Sequence, residues 1–106
     1  MGKEVKKDVA SQKSRMISDL VERGVDQFLL ENSDKAGYSS VLRVDMSGDL
    51  RTAHVYIRAS SNDVESVIKI LDANKHEVTN KIKKLMSTKY FPKIEFRKGE
   101  DEVLVF

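Results

Sequence analysis

The spacing of apolar residues changes from helical to strand period at Ser39, and this change restricts the chain to a mixed α and β fold. Before it, apolar residues recur every three or four positions from Ile17 to Leu29, which predicts an amphipathic helix capped by Ser11 or Ser14. After it, the run LRTAHVYIRAS alternates apolar and polar residues. Such alternation is typical of a strand with one buried and one polar face.

Turn signals divide the rest of the chain into further elements. Ser47-Gly48-Asp49 joins two strands into a hairpin. Two stretches with helical spacing follow, and Tyr90-Phe91-Pro92 ends the second because residues before proline disfavour helical geometry. A third strand alternates through Ile94 and Phe96. The order α-β-β-α-α-β, with two helices between the last strands, predicts a three-stranded mixed sheet with helices on one face.

Length and composition predict one α+β domain. The 106 residues with 40% hydrophobic content suffice for a single modest core. We expect a disordered basic arm over residues 1–10, the domain over 11–98, and a short tail over 99–106. The apolar end of that tail, Val103–Phe106, is a candidate extra strand.

The chain has no cysteine, which excludes disulfides and thiolate metal sites. No apolar run approaches the roughly 20 residues that span a bilayer, and the charged start lacks the apolar region of a secretory signal. We therefore expect a cytoplasmic protein without a membrane partner.

No pattern of catalytic residues is evident. The two histidines, His54 and His76, lie in different elements. The stretch from His76 begins like the zinc motif H-E-x-x-H, but Asn80 stands at the second ligand position. The five glycines lie too far apart to form a phosphate-binding loop. We predict a protein that is not an enzyme and has no cofactor, metal or small-molecule substrate.

Positive charge is concentrated in one segment of the chain. Residues 75–98 contain eight lysines and arginines against two glutamates. Such a segment is typical either of a polyanion-binding surface or of a solvated helix face. Lys75 and His76 open the second crossover helix, where the positive end of the helix dipole favours a phosphate. On the hairpin, Tyr56 is either a base-stacking residue or a cover for the sheet.

Three segments together resemble the ribosome-binding factor A family. Residues 40–58 are similar to its hairpin signature, V-x-V-S-x-D-L-x-x-A-x-V-Y-V. The first helix, with Arg15 and its apolar stripe, resembles the family's opening helix, and Tyr90–Phe96 resembles the entry to its last strand. The resemblance covers about residues 12–98. The matching signature positions are Val44, Ser47, Asp49, Leu50, Arg51, Ala53, Val55, Tyr56 and Ile57.

This resemblance implies a type II KH-like domain and a specific role. Members are non-enzymatic assembly factors that bind the immature small (30S) ribosomal subunit and its 16S rRNA and aid its maturation, and we expect a monomer. The family has an Ala-x-Gly interruption between its last two helices, and Ala73-Asn74-Lys75 occupies that place here. Lysine resists left-handed backbone geometry more than asparagine does, so we expect the break near Asn74.

The charge pattern and the resemblance together predict an RNA-binding surface. A KH-like protein–protein interaction module, using an exposed sheet edge or the apolar tail, is the alternative, as is a general single-stranded RNA-binding domain. An enzyme would instead need a pocket with convergent titratable groups. The predicted RNA-binding residues are Asn74, Lys75, His76, Lys81, Lys83, Lys84, Arg51 and Arg58.

Overall fold

The computed structural model describes residues 2–60, 63–86 and 91–99, with side chains from Lys13 onward. It confirms the predicted order of elements and adds a one-turn helix where only a turn is expected. The elements are α1 (Gly2–Glu31), α2 (Ser33–Ala36), β1 (Ser39–Met46), β2 (Thr52–Ala59), α3 (Val64–Ala73), α4 (Lys75–Leu85) and β3 (Lys93–Lys98).

At the N-terminal end the structure differs from the prediction, and at the C-terminal end the prediction falls on residues that the structure does not describe. α1 begins at Gly2 rather than at Ser11 or Ser14, so the backbone is helical where a disordered arm is expected. Lysine, glutamate and alanine, which occur within residues 2–10, favour helices. The candidate extra strand lies outside the described residues.

The sheet has the order β1-β2-β3 and is mixed, as predicted. β1 and β2 are antiparallel, with Val44 opposite Val55. β2 and β3 are parallel, with Val55 opposite Phe96. The parallel pair requires a crossover connection, which α3 and α4 provide. Among the described strands, β1 and β3 are therefore the edges of the sheet.

A β-bulge at Leu42 changes which residues of β1 face the core. Val41 pairs with Ile57, whereas the next pair is Arg43 with Tyr56, so Leu42 is the additional residue. As a result, Val41 and Val44 both face the core, although they are three positions apart. Leu42 contacts the chain at Gly99, where an added Cβ would lie 2.7 Å from Leu42 Cδ2.

The core lies between one face of the sheet and the helices. Ala53, Val55 and Ile57 are fully buried on β2, and α1 and α3 cover this face. α4 packs mainly on α1, where Gly24 allows Ile82 to approach the helix backbone closely. The opposite side of the sheet, called here the open face, bears the polar residues of β2. These layers form the KH-like α+β domain that the sequence predicts.

Candidate nucleic-acid interface

The two crossover helices are separated by one residue, Asn74. Its backbone N–H makes the last helical bond of α3, to the Ile70 carbonyl at 3.1 Å, and its amide Nδ2 donates to the same oxygen at 2.8 Å. Its own carbonyl accepts from Val78 N at 3.0 Å, which begins α4. The break is therefore confirmed at the predicted residue. The backbone has φ −113° and ψ 26°, so no left-handed geometry is needed.

The apolar pattern explains why the helix breaks there. α3 buries Val64, Val67 and Leu71, and the next buried position is Val78 on α4. A continuous helix would place position 74 or 75 on the same stripe, but Asn74 and Lys75 are polar. The break lets α3 pack on the sheet and α4 on α1, while the polar residues between them remain at the surface.

One side of α4 forms a continuous polar surface with positive charge. It lies opposite Val78 and Ile82, which are fully buried. Its residues recur at positions i, i+4, i+7 and i+8 and therefore share a helix face. At 1.5 Å per residue they extend over roughly 12 Å. We call this the α4 outer face; its members, all exposed, are His76, Asn80, Lys83 and Lys84.

Lys75 and Lys81 are placed differently from that face. Lys75 is half-buried immediately after the break. Lys81 points to α1, where its Nζ lies 2.5 Å from a carboxylate oxygen of Glu31, and only 21% of its side chain is exposed. The hydrogen bond from Lys81 is the main reason why the pKa of Glu31 lies below its usual value. Lys81 thus joins α4 to α1.

The far end of α4 lies beside the hairpin. Lys83 Nζ is 5.4 Å from the centre of the Phe91 ring, and two residues later Lys93 N donates to the Arg51 carbonyl at 2.7 Å. The structure therefore brings Lys83, Arg51 and Lys93 to one end of the molecule. The sequence interpretation did not select Lys93 or Asn80. Helical spacing from His76 identifies Asn80, whereas Lys93 requires the parallel register.

Arg58 is separated from this group. It lies seven residues after Arg51, at the other end of β2, which at about 3.3 Å per residue is roughly 23 Å away. Its side chain is exposed on the open face. No acidic side chain forms an ion pair with it within the parts of the chain that the structure describes.

Interactions within the chain cover much of the open face. The Arg43 guanidinium lies 4.3 Å from the centre of the Tyr56 ring, so one surface of the candidate stacking residue is already occupied. Arg97 binds Glu95 at 3.0 Å, and its hydrogen bond is the largest cause lowering the pKa of Glu95. His54 Nδ1 lies 3.3 Å from both Arg97 Nε and Glu95 Oε1. Nδ1 accepts from Arg97 Nε when it carries no hydrogen and donates to Glu95 when it carries one.

The hairpin turn is organised by residues of the family signature. Ser47 Oγ donates to Asp49 Oδ1 at 2.7 Å and accepts from the backbone N–H groups of Arg51 and Thr52 at 3.1 and 3.0 Å. The Ser47 hydroxyl is also the main cause of the lowered pKa of Asp49. Leu50 has a positive φ of 62°. These contacts fix the turn from which Arg51 projects.

Across the described ranges, no three His, Cys, Asp or Glu residues are grouped so that they could hold a metal ion. None of the helices in these ranges has the length and apolar character needed to cross a bilayer.

Comparison with known proteins identifies the family. The sequence profile of Ribosome-binding factor A matches residues 6–103, whereas no curated protein matches in sequence. The crystal structure of ribosome-binding factor A from Thermus thermophilus is similar in fold. Its TM-score is 0.69 at 16% identity, over 80% of this chain and 94% of that one.

A second similar structure is a homology model of the Thermus thermophilus factor, fitted into a cryo-EM map of its 30S complex. It has a TM-score of 0.61 at 17% identity, covering 88% of this chain and 93% of that one. At such identities the structural likeness establishes the fold, and the profile match over most of the chain establishes the family. This chain belongs to the ribosome-binding factor A family.

Proposed function

We propose that the protein is a non-enzymatic assembly factor that binds 16S rRNA in the immature small ribosomal subunit of the cytoplasm and aids its maturation. The observation that carries this proposal is the family match over residues 6–103. The structurally similar Thermus thermophilus factor has been fitted into a map of its 30S complex, which supports the small subunit as the partner. We further propose that the protein acts as a monomer.

The contact surface in this proposal is the α4 outer face together with the adjoining break. Its two lysines are exposed, and each can pair with a phosphate as a point charge. The N–H groups at the start of α4, next to Lys75 and His76, provide the positive end of a helix dipole. Contacts of this kind position RNA without reading its sequence. Arg51 and Lys93 extend the positive surface around the end of the sheet.

Three residues predicted from the sequence are not phosphate contacts in this proposal: Lys81, Arg58 and Asn74. Lys81 is paired with Glu31 and holds α4 in position. Asn74 donates its amide N–H to the Ile70 carbonyl. Arg58 is too distant to belong to the same phosphate-binding group. The proposed contact residues therefore omit these three and add Asn80 and Lys93.

The test is charge reversal on the α4 outer face. The double variant Lys83→Glu/Lys84→Glu should lose co-sedimentation with immature small subunits, because two attractive phosphate contacts become repulsive. Both side chains are exposed, so the variant should fold. Circular dichroism and the melting temperature check this, since the Lys83–Phe91 contact is worth about 0.5–1 kcal/mol at an exposed site.

The matched control is Lys13→Glu/Lys69→Glu. It changes the net charge equally at two exposed lysines on α1 and α3 and should retain most binding. If the α4 variant binds as the unsubstituted protein does, the proposed surface is wrong. Equal losses in both variants would mean that overall charge, rather than this face, governs binding.

A further inference from the structure

An apolar groove lies where α1, α2 and the paired ends of β1 and β2 meet. It has a volume of about 530 Å³. Leu30 and Tyr38 line it with 76% and 80% of their surfaces exposed. They are two of the most exposed large apolar side chains described. Leu29 and Ala59 complete the apolar lining. The groove therefore presents enough apolar surface to bind a short apolar segment.

The same groove contains an unsatisfied polar group. Ser39 Oγ is buried and has no hydrogen-bond partner among the described residues, although buried hydroxyls are normally paired. β1 is an edge strand, and Val41 N points outward from the sheet to Asp26 Oδ1 at 2.8 Å. Two residues earlier, the backbone of Ser39 faces the same side. An extended segment in the groove would find hydrogen-bonding groups there.

Gly99, which directly follows β3, lies near the two strands that border this groove. Gly99 N donates to the Ile57 carbonyl at 2.9 Å, and Gly99 lies close enough to Leu42 that an added Cβ would clash. Gly99, the residue that follows β3, thus lies against a residue of β1. Both contacts of Gly99 are close to the groove in sequence. Ile57 precedes Arg58, which lines the groove, and Leu42 lies two residues after Ser40, which also lines it.

The remaining sequence matches the groove in length and chemistry. Residues 100–106 span up to roughly 25 Å when extended. Three acidic residues, Glu100, Asp101 and Glu102, precede the apolar Val103–Phe106. Arg58, which lines the groove and has no acidic partner in the described ranges, stands where the acidic residues would pass.

We propose that Val103–Phe106 of the same chain bind this groove as an extended segment, with residues 100–102 beside Arg58. Binding covers Leu30 and Tyr38 and brings backbone groups to Ser39. We assign the protein's own tail rather than a separate partner, because residues 100–106 follow directly on Gly99, which lies beside Leu42 and Ile57. The tail also combines acidic with apolar residues, as the groove combines Arg58 with Leu30.

A single tryptophan tests the proposal, because the chain contains none. In Phe106→Trp, the emission should lie at shorter wavelength than in the same variant unfolded in urea, and acrylamide should quench it several-fold less. Adding Leu30→Asp should shift the emission to longer wavelength and restore quenching. Adding Met16→Asp, at another exposed apolar residue of α1, is the matched control and should change neither signal.

Each result of this experiment decides the question. Emission equal to that of the unfolded variant overturns the proposal, and so does protection that Leu30→Asp leaves unchanged. Protection that increases with protein concentration would mean that the groove binds the tail of a second copy. Concentration-independent protection, lost on Leu30→Asp and weakened by Arg58→Glu, supports the intramolecular contact.

Discussion

Asp26 shows how a single carboxylate connects a helix to an edge strand. Its Oδ1 accepts from Val41 N at 2.8 Å, next to the bulge. Burial raises the pKa of Asp26, and the bond from Val41 offsets this only in part. The folded protein therefore holds a proton on Asp26 more tightly than the unfolded chain does. Its contribution to stability is complete below the usual pKa of 3.8 and is lost as the pH rises through the folded value.

The substitution Asp26→Asn removes the charge and keeps the hydrogen-bond acceptor, so the two contributions to stability can be measured separately. The amide oxygen can still accept from Val41 N, but no charge is buried. We expect the variant to be more stable than the unsubstituted protein at pH 7, with the difference disappearing below the usual aspartate pKa. Urea denaturation across this pH range measures both effects.

The comparison variant, Asp26→Ala, removes the acceptor as well. It should be less stable than Asp26→Asn at every pH by about 1–3 kcal/mol, because the backbone N–H of Val41 loses its partner. If Asp26→Asn increased the free energy of unfolding equally at every pH, the buried charge would not be the cause of the effect.

Single residues also mark a limit of sequence-based prediction. The turn at Ser47-Gly48-Asp49 follows from composition, but the positive φ falls on Leu50, a residue that rarely adopts it. Leu50 also packs against the core. Tertiary packing of this kind selects a backbone conformation that local preferences disfavour, so it could not be read from the sequence.

At the scale of elements, the contact between α1 and α4 depends on Gly24. A Cβ there would lie 2.5 Å from Ile82 Cγ1 and 3.1 Å from Ile82 Cα. The second atom belongs to the backbone, so side-chain rotation alone cannot relieve the contact. The same interface contains the Lys81–Glu31 pair. The position of α4 on α1 is thus set by the close packing of Ile82 on Gly24, and the Lys81–Glu31 ion pair connects the two helices.

Gly24→Ala should therefore destabilise the protein although alanine favours helices. Overpacking costs about 1–3 kcal/mol, and the helix gain of about 0.5–1 kcal/mol offsets part of it. We expect a net loss of about 1–2 kcal/mol in chemical denaturation, by the same two effects.

Gly48→Ala is the control, because nothing lies within 4 Å of its added Cβ; it should change stability by less than about 0.5 kcal/mol. Combining Gly24→Ala with Ile82→Ala should reveal coupling between the two positions. Additive effects would show that the clash is not the cause.

Periodicity predicted the long elements because each has one buried face. The alternation in β2 and the stripes of α3 and α4 therefore located these elements correctly. The bulge at Leu42 was not predicted, since Val41, Leu42 and Val44 are all apolar and the pattern assigns no face to them. Nor was the start of α1 at Gly2, where no apolar stripe distinguishes helix from coil.

At the scale of the whole molecule, a cluster of acidic residues and a surface with two exposed lysines lie on different helices. Asp19, Glu22 and Asp26 lie close together on α1, where burial and the two neighbouring aspartates raise the pKa of Glu22. The four residues of the α4 outer face are positive or neutral, and the exposed Glu77 borders this face at a helical angle close to that of Lys84. This separation orients the protein towards a polyanion, which in the proposed function is the rRNA.

Salt dependence tests this electrostatic contribution. If Lys75, Lys83 and Lys84 contact phosphates, affinity for the small subunit should fall roughly 20- to 40-fold between 50 and 200 mM salt. An apolar protein–protein contact should change little. Lys83→Ala/Lys84→Ala should reduce the slope of log affinity against log salt by about 1.5, and an unchanged slope would exclude these lysines from the contact.

The candidate site was predictable only in part. His76, Lys83 and Lys84 share a face because helical spacing fixes their directions. Lys81 lies in the same lysine-rich part of α4, but it forms an ion pair with Glu31 of α1 and does not share the outer face. Arg51 directly precedes β2 and Arg58 lies near its end, so the length of the strand separates them. Proximity between elements depends on tertiary packing, and composition does not contain this information.

The one-residue break at Asn74 has a consequence for how this molecule can vary in length. An α-helix rotates about 100° and advances 1.5 Å per residue. One inserted residue would therefore turn the α4 outer face by more than a quarter of a revolution relative to the sheet, or pull Val78 and Ile82 from their places on α1. The side chains at this junction can therefore change, but the number of residues in it sets the direction in which Lys83 and Lys84 face.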